Sequence, residues 1–149
     1  MELPSNERVP AVSNPALLAA VRVFEAINSG DLSCLIDCVT DDFVDHGSPM
    51  PIPPGPAGYT QILTFVHQVL RIRYEMKDLF ATGDRIVVRA VASGVGVAEF
   101  HGPDAAGREY RMTTLHIYRT EGDRLAEHWG VRDELGAMRR MGALPDPTA

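Results

Sequence analysis

The stretch REYRMTTLHIYRTEGDRLAEHWGVRD, residues 108–133, predicts two long strands joined by a tight turn at Glu121-Gly122-Asp123. A second pair of strands precedes it, with the turn signal Gly83-Asp84 between them. The sequence therefore predicts four strands: Arg73 to Ala81, the valine-rich Arg85 to Phe100, Arg108 to Arg119 and Arg124 to Asp133. Consecutive strands joined by short turns indicate an antiparallel meander.

The first half of the chain has the spacing of helices. Asn14 before Pro15 is a strong helix start, because a capping side chain precedes a proline whose missing N–H costs nothing there. Apolar spacing predicts helices from Pro15 to Asn28, from Asp31 to Val39 and from Tyr59 to Leu70, a brief strand from Phe43 to His46, and a tail helix from Glu134 to Met141. Three helices followed by a meander indicate an α+β fold.

Length and charge limit the class of protein. The 149 residues suit one domain, which we place at 13–144, with a flexible arm at 1–12 and a tail at 145–149. The net charge of −6, without a basic run, argues against nucleic-acid or membrane partners. No apolar run approaches the ~18 residues of a membrane helix, and no signal-peptide pattern is visible. We expect a cytoplasmic protein that acts on a small molecule.

Alternation along the last strand makes Asp133 the most informative residue. One face carries Leu125, Glu127, Trp129, Val131 and Asp133, and the other the polar, solvent-like set Arg124, Ala126, His128, Gly130 and Arg132. A carboxylate on an apolar face has a raised pKa, as a general acid or base requires. The alternative is that Asp133 only caps the tail helix, and the two roles are compatible.

Histidines provide the other candidate groups. His116 shares a strand face with Met112, Thr114 and Tyr118 and is a candidate proton donor or acceptor. His46 stands at a strand-to-loop junction, where a cavity can open. We expect His101 at the surface and His128 in solvent or at a subunit contact.

Several cofactor motifs are missing from the sequence. There is no His-x-His, His-Glu-x-x-His or Cys-x-x-Cys pair, no phosphate loop and no Gly-x-Ser-x-Gly elbow. Cys34 and Cys38 share a helix face, so we expect two buried thiols rather than a disulfide. Without cofactor or metal, side chains must do any chemistry, which points to proton transfer.

Four motifs carry a resemblance to a known family: AINSGDL, DDFVDHGSP, ATGDRIVVR and EHWGVRDELGAMRRMG. With the order of elements, they resemble the SnoaL-like polyketide cyclases of the nuclear transport factor 2-like superfamily, from Ala16 to Leu144. The resemblance implies a cone-shaped fold, in which a curved antiparallel sheet wraps around three helices and encloses an apolar pocket. It also implies homodimers formed through the outer sheet face.

The resemblance assigns roles to individual residues. In the family's cyclases the aspartate that matches Asp133 is the general acid/base of an intramolecular aldol closure, with neither metal nor cofactor. His116 matches a polar pocket residue, and His46 a histidine near the pocket mouth. Residues expected to bind substrate are Trp129, His46, Tyr59, Thr114 and Met112. Relatives often have Gly-Thr-His-Thr-Gly where this chain has Gly94 to Ala98, so a roomier pocket is expected.

Three alternatives remain open at this stage. A cofactor-free epoxide hydrolase is disfavoured, because no Arg-x-Asp lies in a predicted strand. Isomerisation or dehydration by Asp133 and His116 is compatible with the same residues. A non-catalytic dimeric ligand-binding or assembly module would have a filled or purely apolar interior, or an aspartate used only for capping. A catalyst would bring Asp133 and His116 together on one open cavity.

Overall fold

The computed structural model describes residues 14–145 and residue 147, and within this part the α+β fold is confirmed. The helices are α1 (Pro15–Ser29), α2 (Leu35–Cys38), α3 (Gly55–Gln68), α4 (Ala98–His101) and α5 (Glu134–Arg140). The strands are β1 (Val39–Asp45), β2 (Arg73–Thr82), β3 (Arg85–Val95), β4 (Glu109–Glu121) and β5 (Arg124–Arg132). No described helix is long and apolar enough to span a membrane. The arm predicted at 1–12 lies outside the described residues.

One curved sheet has the order β1-β5-β4-β3-β2. The predicted antiparallel meander is present in β2 to β5, whereas β1 joins β5 in parallel, with Asp45 opposite His128. The second predicted helix is shorter than expected, because extended backbone begins at Val39. The edge strand β1 therefore ends with Asp45 directly beside His128 of β5.

The long strand predicted to reach Phe100 ends at Val95, which is a correction. The Gly96 amide donates to Arg108 O at 2.7 Å, and Gly107 N donates to Gly96 O at 3.0 Å, so the chain folds back on itself here. A side chain at Gly96 would collide with the Ala105 carbonyl. The expected roomier pocket is therefore not formed here, because the backbone fills this position.

The core lies between the inner face of the sheet and the helices α1 and α3. On β3 the inner positions Ile86, Val88, Ala90 and Ala92 are completely buried. The aliphatic side chains are larger near the start of β3 and small at Ala90 and Ala92. This change in size leaves space above the end of β3 and the start of β4, which pair with each other. The cavity described below lies there.

Asn28 joins the end of α1 to the start of β2. Its Nδ2 donates to Tyr74 O and its Oδ1 accepts from Tyr74 N, both at 2.8 Å. These bonds satisfy both backbone groups of one strand residue, which an exposed edge strand would otherwise leave to water.

We expect Asn28→Ala to lower the free energy of unfolding by about 2 kcal/mol, since each lost hydrogen bond contributes about 1 kcal/mol. Urea denaturation measures this change. Gln61→Ala, at an exposed position of α3, is the matched control and should change the stability by less than about 0.5 kcal/mol. An equal effect of both substitutions would contradict the bridging role of Asn28.

Candidate functional site

A cavity of about 390 Å³ opens between α3, α4, α5, the start of β4 and the end of β5. Its volume is near the lower end of the ~300–1,000 Å³ range of small-molecule sites. Most of its wall is apolar, and it is formed by Pro49, Ile62, Phe65, Val66, Leu70, Ile72, Phe100, Met112, Ala137, Met138 and Met141. Four polar side chains complete the wall: His101, Tyr110, Arg132 and Glu134. This arrangement suits one compact apolar molecule with a few polar groups.

Arg132 brings a cation into this apolar wall. It lies on the inner face of β5, opposite Thr114 of β4, and is partly buried. Burial opposes its charge, but Tyr74, Glu134 and Asp45 around it outweigh burial and raise the pKa of Arg132 above its usual value. The guanidinium therefore stays charged inside the cavity.

Tyr110 contributes a hydroxyl to the same cavity. Its ring lies over Gly94, where any side chain would meet the phenol oxygen. Burial is the main cause that raises the pKa of Tyr110 above its ordinary value. The hydroxyl therefore keeps its proton at neutral pH and can donate a hydrogen bond to a ligand oxygen.

Asp133 points away from the sheet interior, so its predicted orientation is corrected. The inner face of β5 carries His128, Gly130 and Arg132, which belong to the set that looked solvent-like, whereas Trp129 and Val131 of the apolar set face outward and only Leu125 of that set is buried. The Asp133 side chain is 49% exposed and caps α5, accepting from Gly136 N at 3.0 Å. Asp133 does not line the cavity itself, although its chain neighbours Arg132 and Glu134 both do.

His116 belongs to a buried hydrogen-bonded chain that we call the relay, consisting of Asp45, His128, His116 and Thr114. Asp45 Oδ1 lies 2.6 Å from His128 Nδ1, His128 Nε2 lies 2.9 Å from His116 Nδ1, and His116 Nε2 lies 3.0 Å from Thr114 Oγ1. Thr114 in turn donates to Ala90 O at 3.1 Å. Both nitrogens of His116 are thus engaged inside the protein.

Counting hydrogens fixes the charge of the relay. Thr114 has one hydroxyl hydrogen and gives it to Ala90, so His116 must donate to Thr114 and accept from His128. His128 Nε2 then carries a hydrogen, and one further proton lies between His128 Nδ1 and Asp45 Oδ1, so that the pair has no net charge. Burial, and after it the charges of His128 and Arg132, lower the pKa of His116 to about 2, which agrees with a neutral His116.

The other predicted binding residues are placed in different environments. Met112 lines the cavity. Thr114 and Tyr59 are buried outside the cavity wall, and Tyr59 OH lies 2.9 Å from Tyr118 OH. Trp129 and His46 stack on each other with ring centroids 5.1 Å apart, on the outer side of the sheet. Asp133 and His116 therefore do not meet on one cavity.

Sequence reasoning missed Arg132, Glu134, Tyr110 and His101 of the cavity and Asp45 and His128 of the relay. The useful signal was present in the last strand, since His128 and Arg132 share a face with Gly130, whose missing side chain leaves room for two imidazoles. Within the described residues, no three His, Cys, Asp or Glu side chains are arranged to hold a metal ion.

The depressed pKa of His116 predicts a pH-dependent stability. Because the unfolded value of about 6.5 exceeds the folded value of about 2, the unfolded chain binds this proton more strongly. Stability linked to His116 is complete above pH 6.5 and is lost as the pH falls, by up to about 1.4 kcal/mol per pH unit. Urea unfolding of the wild type and of His116→Gln between pH 7.5 and 4.5 should give a shallower slope for the variant. Parallel curves would contradict a buried neutral His116.

Comparison with known proteins identifies the family. The family model described as SnoaL-like polyketide cyclase matches residues 18–141. No curated protein matches the chain. IdmH, a candidate polyketide cyclase from Streptomyces antibioticus, is 29% identical, with a TM-score of 0.71 over 85% of this chain and 98% of IdmH. TsrD from Streptomyces laurentii is 27% identical, with a TM-score of 0.72 over 87% of this chain and 96% of TsrD.

A third solved structure supports the fold alone. It is a candidate SnoaL-like polyketide cyclase from Jannaschia sp. CCS1, 17% identical, with a TM-score of 0.73 over 93% of this chain and 99% of that chain. The family match covers most of the sequence and agrees with the sheet, the helices and the cavity described above. The chain belongs to the SnoaL-like polyketide cyclase family.

Proposed function

We propose that this chain is a cytoplasmic, cofactor-independent cyclase that closes a ring in a compact, polyketide-like intermediate by proton transfer. The observation that carries the proposal is the 390 Å³, mostly apolar cavity with four polar side chains in its wall. Such a cavity folds a flexible apolar chain and excludes water, so that two reacting carbons are held close together. Membership of the cyclase family supports the same reaction class.

The proposed reaction is an intramolecular aldol addition. Asp133 takes a proton from a carbon next to a carbonyl group, and the resulting enolate carbon forms the new bond to a second carbonyl carbon. Asp133 then returns the proton to the new alkoxide oxygen, so no atom is gained or lost. Tyr110 donates a hydrogen bond to the oxygen on which charge develops.

His116 has a supporting role in this mechanism rather than the direct donor role suggested by the sequence. Both of its ring nitrogens are used within the relay. It fixes the hydroxyl of Thr114, which is opposite Arg132 in the strand register. His116 is therefore a positioning residue that acts through Thr114, next to the strand position of Arg132.

The assignment of Asp133 is tested with two carboxylate variants. Asp133→Asn keeps a good helix cap and should lower kcat by ~10²–10⁴-fold for an apolar β-keto ester with a further carbonyl group that can close by an aldol step. Turnover is followed by the absorbance change on ring closure and by mass spectrometry. The matched variant Asp123→Asn alters an exposed carboxylate in the turn between β4 and β5, outside the cavity wall, and should retain most activity. Full activity of Asp133→Asn would contradict the role of Asp133.

A non-catalytic binding module is the second candidate function. The observation that favours it is the use of the Asp133 carboxylate to cap α5, with half of the side chain exposed. A module of this kind would bind the β-keto ester without converting it. Tight binding with no conversion by the wild type at any pH from 6 to 9 would favour this function over the cyclase.

We also propose that the protein forms a homodimer through the outer face of the sheet. Apolar side chains cluster there, and Leu115, Ile117, Trp129 and Val131 are all exposed. Monomeric proteins rarely expose large contiguous apolar surfaces. The Arg119–Glu127 pair, with 2.8 Å between Nε and Oε2, gives this face a polar border. A second copy of the same face would cover the apolar cluster.

Val131→Glu should convert the dimer to a monomer, because a buried unpaired carboxylate would be left at the interface. Val131 is 65% exposed in the single chain, so its replacement leaves the fold intact. Light scattering coupled to size exclusion measures the mass. Leu18→Glu, at a similarly exposed position on α1, is the control and should remain a dimer. A monomeric wild type would overturn the proposed interface.

A further inference from the structure

We propose that Arg132 binds a carboxylate of the ligand, so that the substrates of this cavity are compact apolar acids. The inference deepens the proposed function, on which it rests for the reaction but not for the binding. Arg132 lies in the wall of the cavity and within the described residues has no carboxylate within 4.0 Å. The anionic partner is expected to be the ligand itself.

The other arginines of the sheet show what is unusual about Arg132. Arg89 Nε lies 2.5 Å from Asp78 Oδ2, and Arg119 Nε lies 2.8 Å from Glu127 Oε2, both on the outer, solvated side. Those pairs involve partly exposed side chains and contribute little to stability. Arg132 faces inward, into a mostly apolar cavity wall, and forms no ion pair within 4.0 Å, although a buried charge is favoured by a carboxylate partner.

Glu134 is the nearest candidate for an internal partner, and the structure does not pair it with Arg132. It lines the same cavity but forms no ion pair with the guanidinium within 4.0 Å. Glu134 also begins α5, where a carboxylate is stabilised by the helix N-terminus. The guanidinium donors are thus left for a ligand, while Glu134 is stabilised by its own helix.

The Thr114 hydroxyl and the Asp45 carboxylate of the relay already have partners other than Arg132. Thr114, opposite Arg132, donates its hydroxyl hydrogen to Ala90 and accepts from His116. The Asp45 carboxylate is held by His128 at 2.6 Å and by Gly47 N at 2.8 Å. Both of these groups are therefore already in use, and the polar group beside Arg132 is the Tyr74 side chain rather than a carboxylate.

The planar guanidinium fork selects a carboxylate by shape as well as by charge. Two parallel N–H groups can donate to the two oxygens of one carboxylate, and a low-dielectric wall strengthens the contact. A carboxylate held by Arg132 would place the apolar body of the ligand against Met112 and Met138. The adjacent Asp133 would then be near the carbons closest to the acid group.

The test compares 2-naphthoate with 2-naphthamide, which has nearly the same shape but no charge. Dissociation constants are measured by NMR titration of ¹⁵N-labelled protein at pH 7. We expect wild type to bind the acid at least tenfold more tightly than the amide, with shifts at the cavity residues Tyr110 and Met112. In Arg132→Gln the two affinities should become equal within about threefold.

Arg139→Gln is the matched control, since Arg139 is an exposed arginine of α5 outside the cavity wall, and it should keep the preference for the acid. Arg132→Lys keeps the charge without the fork and should give an intermediate preference. If Arg132→Gln fails to fold, the comparison of acid and amide is made with Arg132→Lys instead. Equal affinities in the wild type, a preference kept in Arg132→Gln, or no binding of either compound would overturn the proposal.

These results are separable from those on catalysis, because no turnover is measured. If the protein prefers the acid but converts no keto ester, the Arg132 site is supported and the cyclase function is contradicted. If the protein closes the ring of the β-keto ester but shows no preference for acids, the cyclase function is supported and the Arg132 site is contradicted.

Discussion

The hydrogen bond between Asp45 and His128 is the constraint on which the site depends. It joins β1 to β5 at the one place where the sheet is parallel, and the two residues are register partners. The backbone reinforces it, since His46 N donates to His128 O at 2.8 Å. Leaving either charge without the other would bury an unpaired ion, which costs several kcal/mol. The edge strand is therefore fixed in register by an electrostatic contact as well as by its ladder.

The relay that follows from this contact divides the interior into two regions. On one side His116 is enclosed by the edges of Phe24 and Tyr74, with ring centroids 5.1 and 5.7 Å away. On the other side the sheet leads through Thr114 to Arg132 and the cavity. Because Asp45 is balanced by His128, the relay adds no net charge to the interior. The field in the cavity is then set by Arg132 and Glu134, which lie in its wall.

The sequence was sufficient for the class of fold and for most of the elements. The meander from Arg73 onward could be predicted because each strand pair has a glycine turn and alternating side chains. The end of β3 at Val95 could not, because the chain folds back there through hydrogen bonds of Gly96 to Arg108 and Gly107, which alternation does not predict. The parallel pairing of β1 depends on Asp45 meeting His128, 83 residues further on, which no local pattern encodes.

The site was harder to predict because this sheet is apolar on both faces. Alternation separates Trp129 and Val131 from His128 and Arg132, but it does not say which set is buried. The usual rule places the apolar set inside, and here it fails for β5, since Val131 is exposed and His128 is buried. An inner face can carry His128 because Gly130 and Asp45 provide room and countercharge. An outer face can carry Trp129 and Val131 when another surface covers them. On β5 the predicted inner and outer faces are exchanged at Trp129 and Val131. This exchange explains why Asp133 lies outside the core, and it also supports the proposed homodimer through the outer face of the sheet.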